Sequence, residues 1–69
     1  MAQLSFTIQT IQTTDFDDNT INIKRGDAEI DGKCTNVISV FGESVSDAYL
    51  KDGLKTKLTD LGFVWDSEI

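Results

Sequence analysis

Residues 44–63 read SVSDAYLKDGLKTKLTDLGF, and this stretch decides the fold. Ser44 and Asp47 have the spacing of a capping box, which predicts the start of a helix. Gly62 stands where a left-handed C-cap belongs, and Phe63 just beyond it can make the accompanying hydrophobic contact. The leucines between these signals recur at helical spacing: Leu50, Leu54, Leu58 and Leu61. The stretch therefore predicts one helix that packs a leucine face on a sheet.

The residues before this helix alternate with the two-residue period of β-strands. Residues 3–9 place three apolar side chains on one face: Leu4, Phe6 and Ile8. The alternation slips at residues 10–11 and dissolves in the polar residues 13–19, so we expect a loop there, with a bulge as one way to begin it. Residues 20–24 alternate again and predict a second strand.

Glycines divide the next part of the chain. Gly26, within Arg25-Gly26-Asp27, predicts a chain reversal, and a short third strand follows at residues 28–30. Asp31-Gly32 is suited to a type I′ turn because both central residues of that turn need a positive φ, so we expect a tight hairpin. Residues 33–41 then form a strand, and residues 63–65 return after the helix as the last one.

These elements predict an α+β fold: a small antiparallel sheet of four to five strands with one helix packed on one face. The predicted element order is β-β-β-β-α-β. Sixty-nine residues suffice for one domain, so we assign residues 1–69 to a single domain.

The strand at residues 33–41 is apolar on both sides. We expect the helix to cover the face that carries Leu4, Phe6, Ile8, Ile21 and Ile23. Either Val37 and Phe41 or Ile38 and Val40 must then point away from the helix. The loop carrying Phe16, or Val45, could cover that second face, or it could be a homodimer or partner interface.

The composition excludes most enzyme chemistry. Without histidine the chain has no His-based zinc site and no Ser-His or Cys-His nucleophile pair. Residues 27–32 resemble the start of a calcium loop, but Ile38 stands where the closing glutamate belongs. Cys34 is the single cysteine, and no signal peptide or membrane helix is recognisable, so we expect a cytoplasmic protein. We expect no enzymatic activity, no cofactor and no bound metal.

The net charge of −6 is unevenly distributed along the chain. Three acidic and three basic residues balance within the helix, so the other nine of the twelve acids lie in the sheet, its loops and the C-terminal tail. Such a surface disfavours nucleic acid and anionic membranes as direct partners and favours a basic protein surface. The candidate partner-binding residues are Asp15, Asp17, Asp18, Asp27, Glu29 and Asp31.

These features predict a small non-enzymatic acidic binding protein, either a monomer or a homodimer. Acidic phage inhibitors, including anti-CRISPR and anti-restriction proteins, present phosphate-like carboxylates to nucleic-acid-binding enzymes, and the chain is similar to them only in size, charge and lack of chemistry. The concrete hypothesis is an inhibitor of that type, acting in the host cytoplasm if phage-encoded. The alternative is a self-assembling structural or accessory subunit, which the two-sided strand favours.

Overall fold

The computed structural model describes residues 2–69, which form a four-stranded sheet and one helix. The elements in chain order are β1 (Gln3–Thr14), β2 (Thr20–Ile30), β3 (Lys33–Gly42), α1 (Asp47–Asp60) and β4 (Ser67–Glu68). The strand order across the sheet is β3-β2-β1-β4. β2 is antiparallel to both β1 and β3, whereas β4 is parallel to β1. The predicted α+β class is confirmed, and the sheet is mostly antiparallel with one parallel pair.

Three strands precede the helix where four were predicted, because β2 is continuous through Gly26. Gly26 pairs with Ile8 on one side and Ser39 on the other, so the predicted reversal is wrong. A Cβ placed on Gly26 would lie 2.1 Å from Cδ2 of Leu50. Gly26 therefore lets α1 approach the sheet closely. The element order is β-β-β-α-β.

The predicted loop is confirmed at residues 15–19, but it starts two residues later than expected because β1 continues to Thr14 without a bulge. Its register against β2 is unbroken from Leu4 and Ile30 to Thr14 and Thr20. Ile11 interrupts the apolar alternation because it lies on the other face of the same strand.

The tight hairpin between β2 and β3 is confirmed. Asp31 and Gly32 have φ of 53° and 77°, as a type I′ turn requires, and Ile30 pairs with Lys33. An irregularity follows in β3, where residues 35–37 lie opposite Ala28 alone. Asn36 takes a positive φ of 62° there. The Thr35 hydroxyl donates a hydrogen bond to the Ala28 carbonyl at 2.8 Å, which occupies one backbone group that the irregularity frees.

The helix is capped by a residue two positions later than predicted. Ser46 is the N-cap, and its hydroxyl accepts a hydrogen bond from the Tyr49 N–H at 3.2 Å. The predicted capping box from Ser44 is therefore wrong, because Ser46 is the N-cap and Asp47 is already the first helical residue.

The predicted helix end is confirmed. Gly62 has φ of 90°, and its N–H donates to the Thr59 carbonyl at 3.1 Å. The Phe63 N–H donates to the Leu58 carbonyl at 3.0 Å, which completes a Schellman motif. The strand predicted at residues 63–65 is wrong, since the chain pairs with β1 only at β4.

The core lies between α1 and one face of the sheet. Its buried apolar residues are Leu4, Ala28, Val37, Leu50, Leu54 and Leu58. Leu61 does not belong to this core: it is the C-cap residue and is 67% exposed. Within residues 2–69, no helix is both long and apolar enough to cross a membrane.

Candidate protein-binding surface

The β1–β2 hairpin projects beyond the rest of the molecule. β3 ends with Gly42 opposite Ile23, so residues 12–22 pair only across the hairpin. We call residues 12–22 the arm. The arm accounts for the elongated shape, which measures 45 × 20 × 19 Å.

The tip of the arm is held by its own hydrogen bonds. Oδ1 of Asp15 accepts from the backbone N–H of Asp17 at 2.8 Å and of Asn19 at 2.9 Å. The Asp15 N–H donates to the Asn19 carbonyl at 2.9 Å, and the Asp18 N–H donates to the Asp15 carbonyl at 3.1 Å. The tip is therefore an ordered turn in which the Asp15 carboxylate has a structural role.

Phe16 lies at this tip and its side chain is fully exposed. The carboxylates of its neighbours Asp17 and Asp18 make no hydrogen bond or ion pair with the part of the chain that the structure describes. An aromatic ring held in water by an ordered turn has no role in this chain's core. Chemically, the tip offers an apolar anchor beside two negative charges.

The other three candidate acids lie elsewhere. Asp27 and Glu29 follow each other along β2, where Asp27 contacts Arg25 at 3.4 Å and Glu29 accepts from the Thr7 hydroxyl at 2.8 Å. Asp31 lies at the opposite end of the molecule from the tip, and its Oδ1 accepts from the Gln3 N–H at 2.9 Å. The structure thus brings Asp15, Asp17 and Asp18 together, but not all six residues.

The sheet face opposite α1 is open. Gly26 lies beneath α1, so its neighbour Arg25 points to the opposite face of the sheet. The residues paired with Arg25 point to that face as well, because directly opposed residues of antiparallel strands share a face. By this register the open face carries five aliphatic side chains: Ile11, Ile21, Ile23, Ile38 and Val40. The expectation that Ile21 and Ile23 lie under the helix is therefore wrong.

This register also decides between the two alternatives for β3. Val37 is buried and lies on the α1 face with Phe41, whereas Ile38 and Val40 point away and are 41% and 50% exposed. The loop carrying Phe16 does not cover them, because Phe16 itself is fully exposed. The alternative in which the loop carrying Phe16 covers the second face of the sheet is therefore wrong.

Two other features of the sequence have simple structural outcomes. Cys34 is exposed on β3, and its Sγ lies 3.4 Å from the backbone nitrogen of Asn36. Residues 27–32 lie in β2 and the type I′ turn. Across residues 2–69, no three histidine, cysteine or acidic side chains form a group that could hold a metal ion.

Phe16 was the functional candidate that sequence reasoning undervalued. Its signal was present: a single aromatic residue in a run that is otherwise polar, Thr13-Thr14-Asp15-Phe16-Asp17-Asp18-Asn19. The sequence pattern offers this ring only as one possible cover for the sheet, because it predicts shorter strands than β1 and β2 and therefore no projecting arm.

No protein-family model matches this chain, and no curated protein or solved structure matches it either.

Proposed function

We propose that the protein is a non-enzymatic binding protein whose arm docks on a basic surface of a partner protein. In this proposal Phe16 enters an apolar pocket of the partner, and Asp17 and Asp18 pair with lysine or arginine side chains around that pocket. Asp15 does not contact the partner in this proposal; its carboxylate holds the turn that presents Phe16.

The observation that carries the proposal is the full exposure of Phe16 on an ordered, projecting tip. Aromatic residues that fill a partner's pocket are typical binding hot spots. An ordered turn lowers the entropy lost on binding, because the side chain is already presented in the bound geometry. The net charge of −6 adds steering toward a positively charged partner.

A nucleic-acid-binding enzyme is the partner class that this proposal favours. Such enzymes carry lysine and arginine side chains arranged to contact phosphates, and exposed carboxylates can occupy the same positions. In that case bound protein and nucleic acid exclude each other, so the protein acts as an inhibitor.

The experiment is a capture from extracts of the native host, at low and high salt, read by mass spectrometry. Wild-type protein is compared with Phe16→Ser and with Asp17→Asn/Asp18→Asn. We expect at least about a tenfold loss of the captured partner with Phe16→Ser, since losing a buried aromatic anchor costs more than ~1.4 kcal/mol of binding free energy. We expect the amide variant to retain the partner more weakly, with less dependence on salt.

The matched controls are Val64→Ser, which removes another exposed apolar side chain, and Asp52→Asn/Asp60→Asn, which removes two acids from α1. Both should capture the partner as wild type does. Equal capture by wild type and Phe16→Ser would overturn the proposal. A captured partner that oligonucleotide fails to displace would contradict inhibition at a nucleic-acid site.

A further inference from the structure

The open sheet face carries an apolar patch with acidic groups toward both ends. Ile11 and Ile23 share one row of the register on this face, and Val40 lies in the next row beside Arg25 and Gln9. Asp27 and Glu29 follow on the side toward the β2–β3 turn, and the acidic tip of the arm lies on the other side. Arg25 is the one cation that the described strands place on this face, and it contacts Asp27.

This face is large enough to receive one secondary-structure element. Its rows run from Ser5 to Thr13 along β1. At about 3.4 Å per strand residue the rows span roughly 27 Å, which matches an α-helix of about 18 residues. α1 already shows that a helix with a narrow apolar stripe packs well on the other face of the same three strands. A second helix would complete the three-layer arrangement in which both faces of a sheet are covered.

Charge decides what kind of helix fits. On this face Asp27 and Glu29 outnumber Arg25, so a helix with lysine or arginine beside its apolar stripe is complementary. A second copy of this chain is not, because a two-fold axis would bring two faces of the same net negative charge together.

We propose that the open sheet face binds a basic amphipathic helix of the partner protein. Its apolar stripe packs on Ile11, Ile23 and Val40, and its cations approach Asp27 and Glu29. This inference rests on the proposed function, because it names a segment of the same basic partner. It places that segment on a surface separate from Phe16.

The test uses a synthetic 18-residue amphipathic peptide with leucine on one face and lysine on the other. Its control peptide has the same composition with leucines spread around the helix. Binding is followed by fluorescence anisotropy, and backbone amide shifts of ¹⁵N-labelled protein locate the site. We expect the largest shifts on the open-face strands, and about tenfold weaker binding of the control peptide, equivalent to ~1.4 kcal/mol.

Val40→Lys should weaken binding of the amphipathic peptide by at least about tenfold, because it places a charge in the apolar contact and repels the peptide. Val64→Lys changes the net charge equally at an exposed site after α1 and should have less than about a twofold effect. Since Val40 is half exposed, Val40→Lys should remain folded, which circular dichroism checks. Ile38→Lys provides a second variant if Val40→Lys unfolds.

Three results would overturn the inference. One is equal binding of the two peptides, and another is equal effects of Val40→Lys and Val64→Lys. The third is a dimer of the protein alone, seen by sedimentation and abolished by Val40→Lys, which would assign the face to a second copy. Phe16→Ser should bind the peptide normally, so a failed arm contact and a failed face contact give distinguishable results.

Discussion

Gly26 shows how a single residue can determine the distance between a helix and a sheet. A methyl group at this position would meet the side chain of Leu50 at 2.1 Å, and Leu54 lies only 3.1 Å away. The glycine thus allows both leucines to lie directly on the backbone of β2. The loss of conformational freedom that glycine carries in a strand is the cost of this close packing.

Gly26→Ala should therefore destabilise the fold. Relief of the overlap requires Leu50 to leave its position or α1 to move, and such overpacking typically costs about 1–3 kcal/mol. Chemical denaturation measures this change. Gly42→Ala is the matched control, since a Cβ there has no neighbour within 4 Å. The two variants should differ by more than about 1 kcal/mol, and equal stabilities would contradict the close approach of α1.

Ser39 offers a second test at the level of one side chain. It pairs with Gly26 beneath α1, is only 2% exposed, and its hydroxyl has no hydrogen-bond partner within residues 2–69. A buried hydroxyl without a partner costs free energy, so Ser39→Ala should leave stability unchanged or raise it by about 1 kcal/mol. A loss of more than about 1 kcal/mol in a urea titration would show that the hydroxyl has a partner.

Sequence reasoning could not have found the role of Gly26. A glycine between Arg25 and Asp27 carries the same local signal whether it turns the chain or receives a helix. The difference lies in a contact with Leu50, which is 24 positions away and becomes visible only when α1 is docked. In contrast, Gly32 and Gly62 act within their own turns, and the sequence predicted both.

At the scale of elements, the predicted leucine face of α1 was correct because helical spacing is a local property. Leu50, Leu54 and Leu58 are fully buried. Leu61 has the same spacing, but the helix ends at Asp60, so the next residue leaves the stripe. The parallel strand β4 could not be predicted from its two polar residues, because its pairing with β1 depends on the chain's return after α1.

Leu54→Ala or Leu58→Ala should cost about 2–5 kcal/mol through lost burial and a residual cavity. That is a large part of the stability that a small domain has. Thr56→Ala and Thr59→Ala are the controls, because their exposed hydroxyls only donate to carbonyls one turn earlier in α1. Thermal melts should show the leucine variants well below wild type and the threonine variants close to it. Leucine variants that melt at the wild-type temperature would mean that α1 is not docked.

The start of α1 gives a test that separates two neighbouring serines. Ser46→Ala removes the acceptor for the Tyr49 N–H and should cost about 1 kcal/mol. Ser44→Ala should be nearly silent, since Ser46 is the residue that caps the helix. Equal losses of stability in the two variants would contradict Ser46 as the single capping serine and would favour the capping box predicted from the sequence.

At the scale of the whole molecule, length and charge determine which surfaces a partner can reach. The sequence predicted the six candidate acids from composition and local pattern, but it could not predict their distribution. Continuous pairing of β1 with β2 separates Asp17 and Asp18 from Asp31 by the length of the hairpin. For the open face, the sequence predicted only that β3 has apolar residues on both of its sides. Its isoleucines on β1 and β2 became apparent only with the register.

We therefore expect the rate of association with the partner to depend more on where the acidic residues lie than on the net charge of the protein. Asp17→Lys/Asp18→Lys and Asp52→Lys/Asp60→Lys each reverse two acids, so both variants have a net charge of −2 in place of −6. Asp15 stays unchanged because its carboxylate holds the turn.

With the captured partner, the arm variant should associate at least about tenfold more slowly at low salt, because steering acts where the two surfaces meet. Surface plasmon resonance at increasing ionic strength measures these rates. The difference between the variants should shrink as the screening length falls to about 8 Å at physiological salt and below. Equal rates for the two variants at every ionic strength would mean that total charge steers the encounter and that the arm does not lead it.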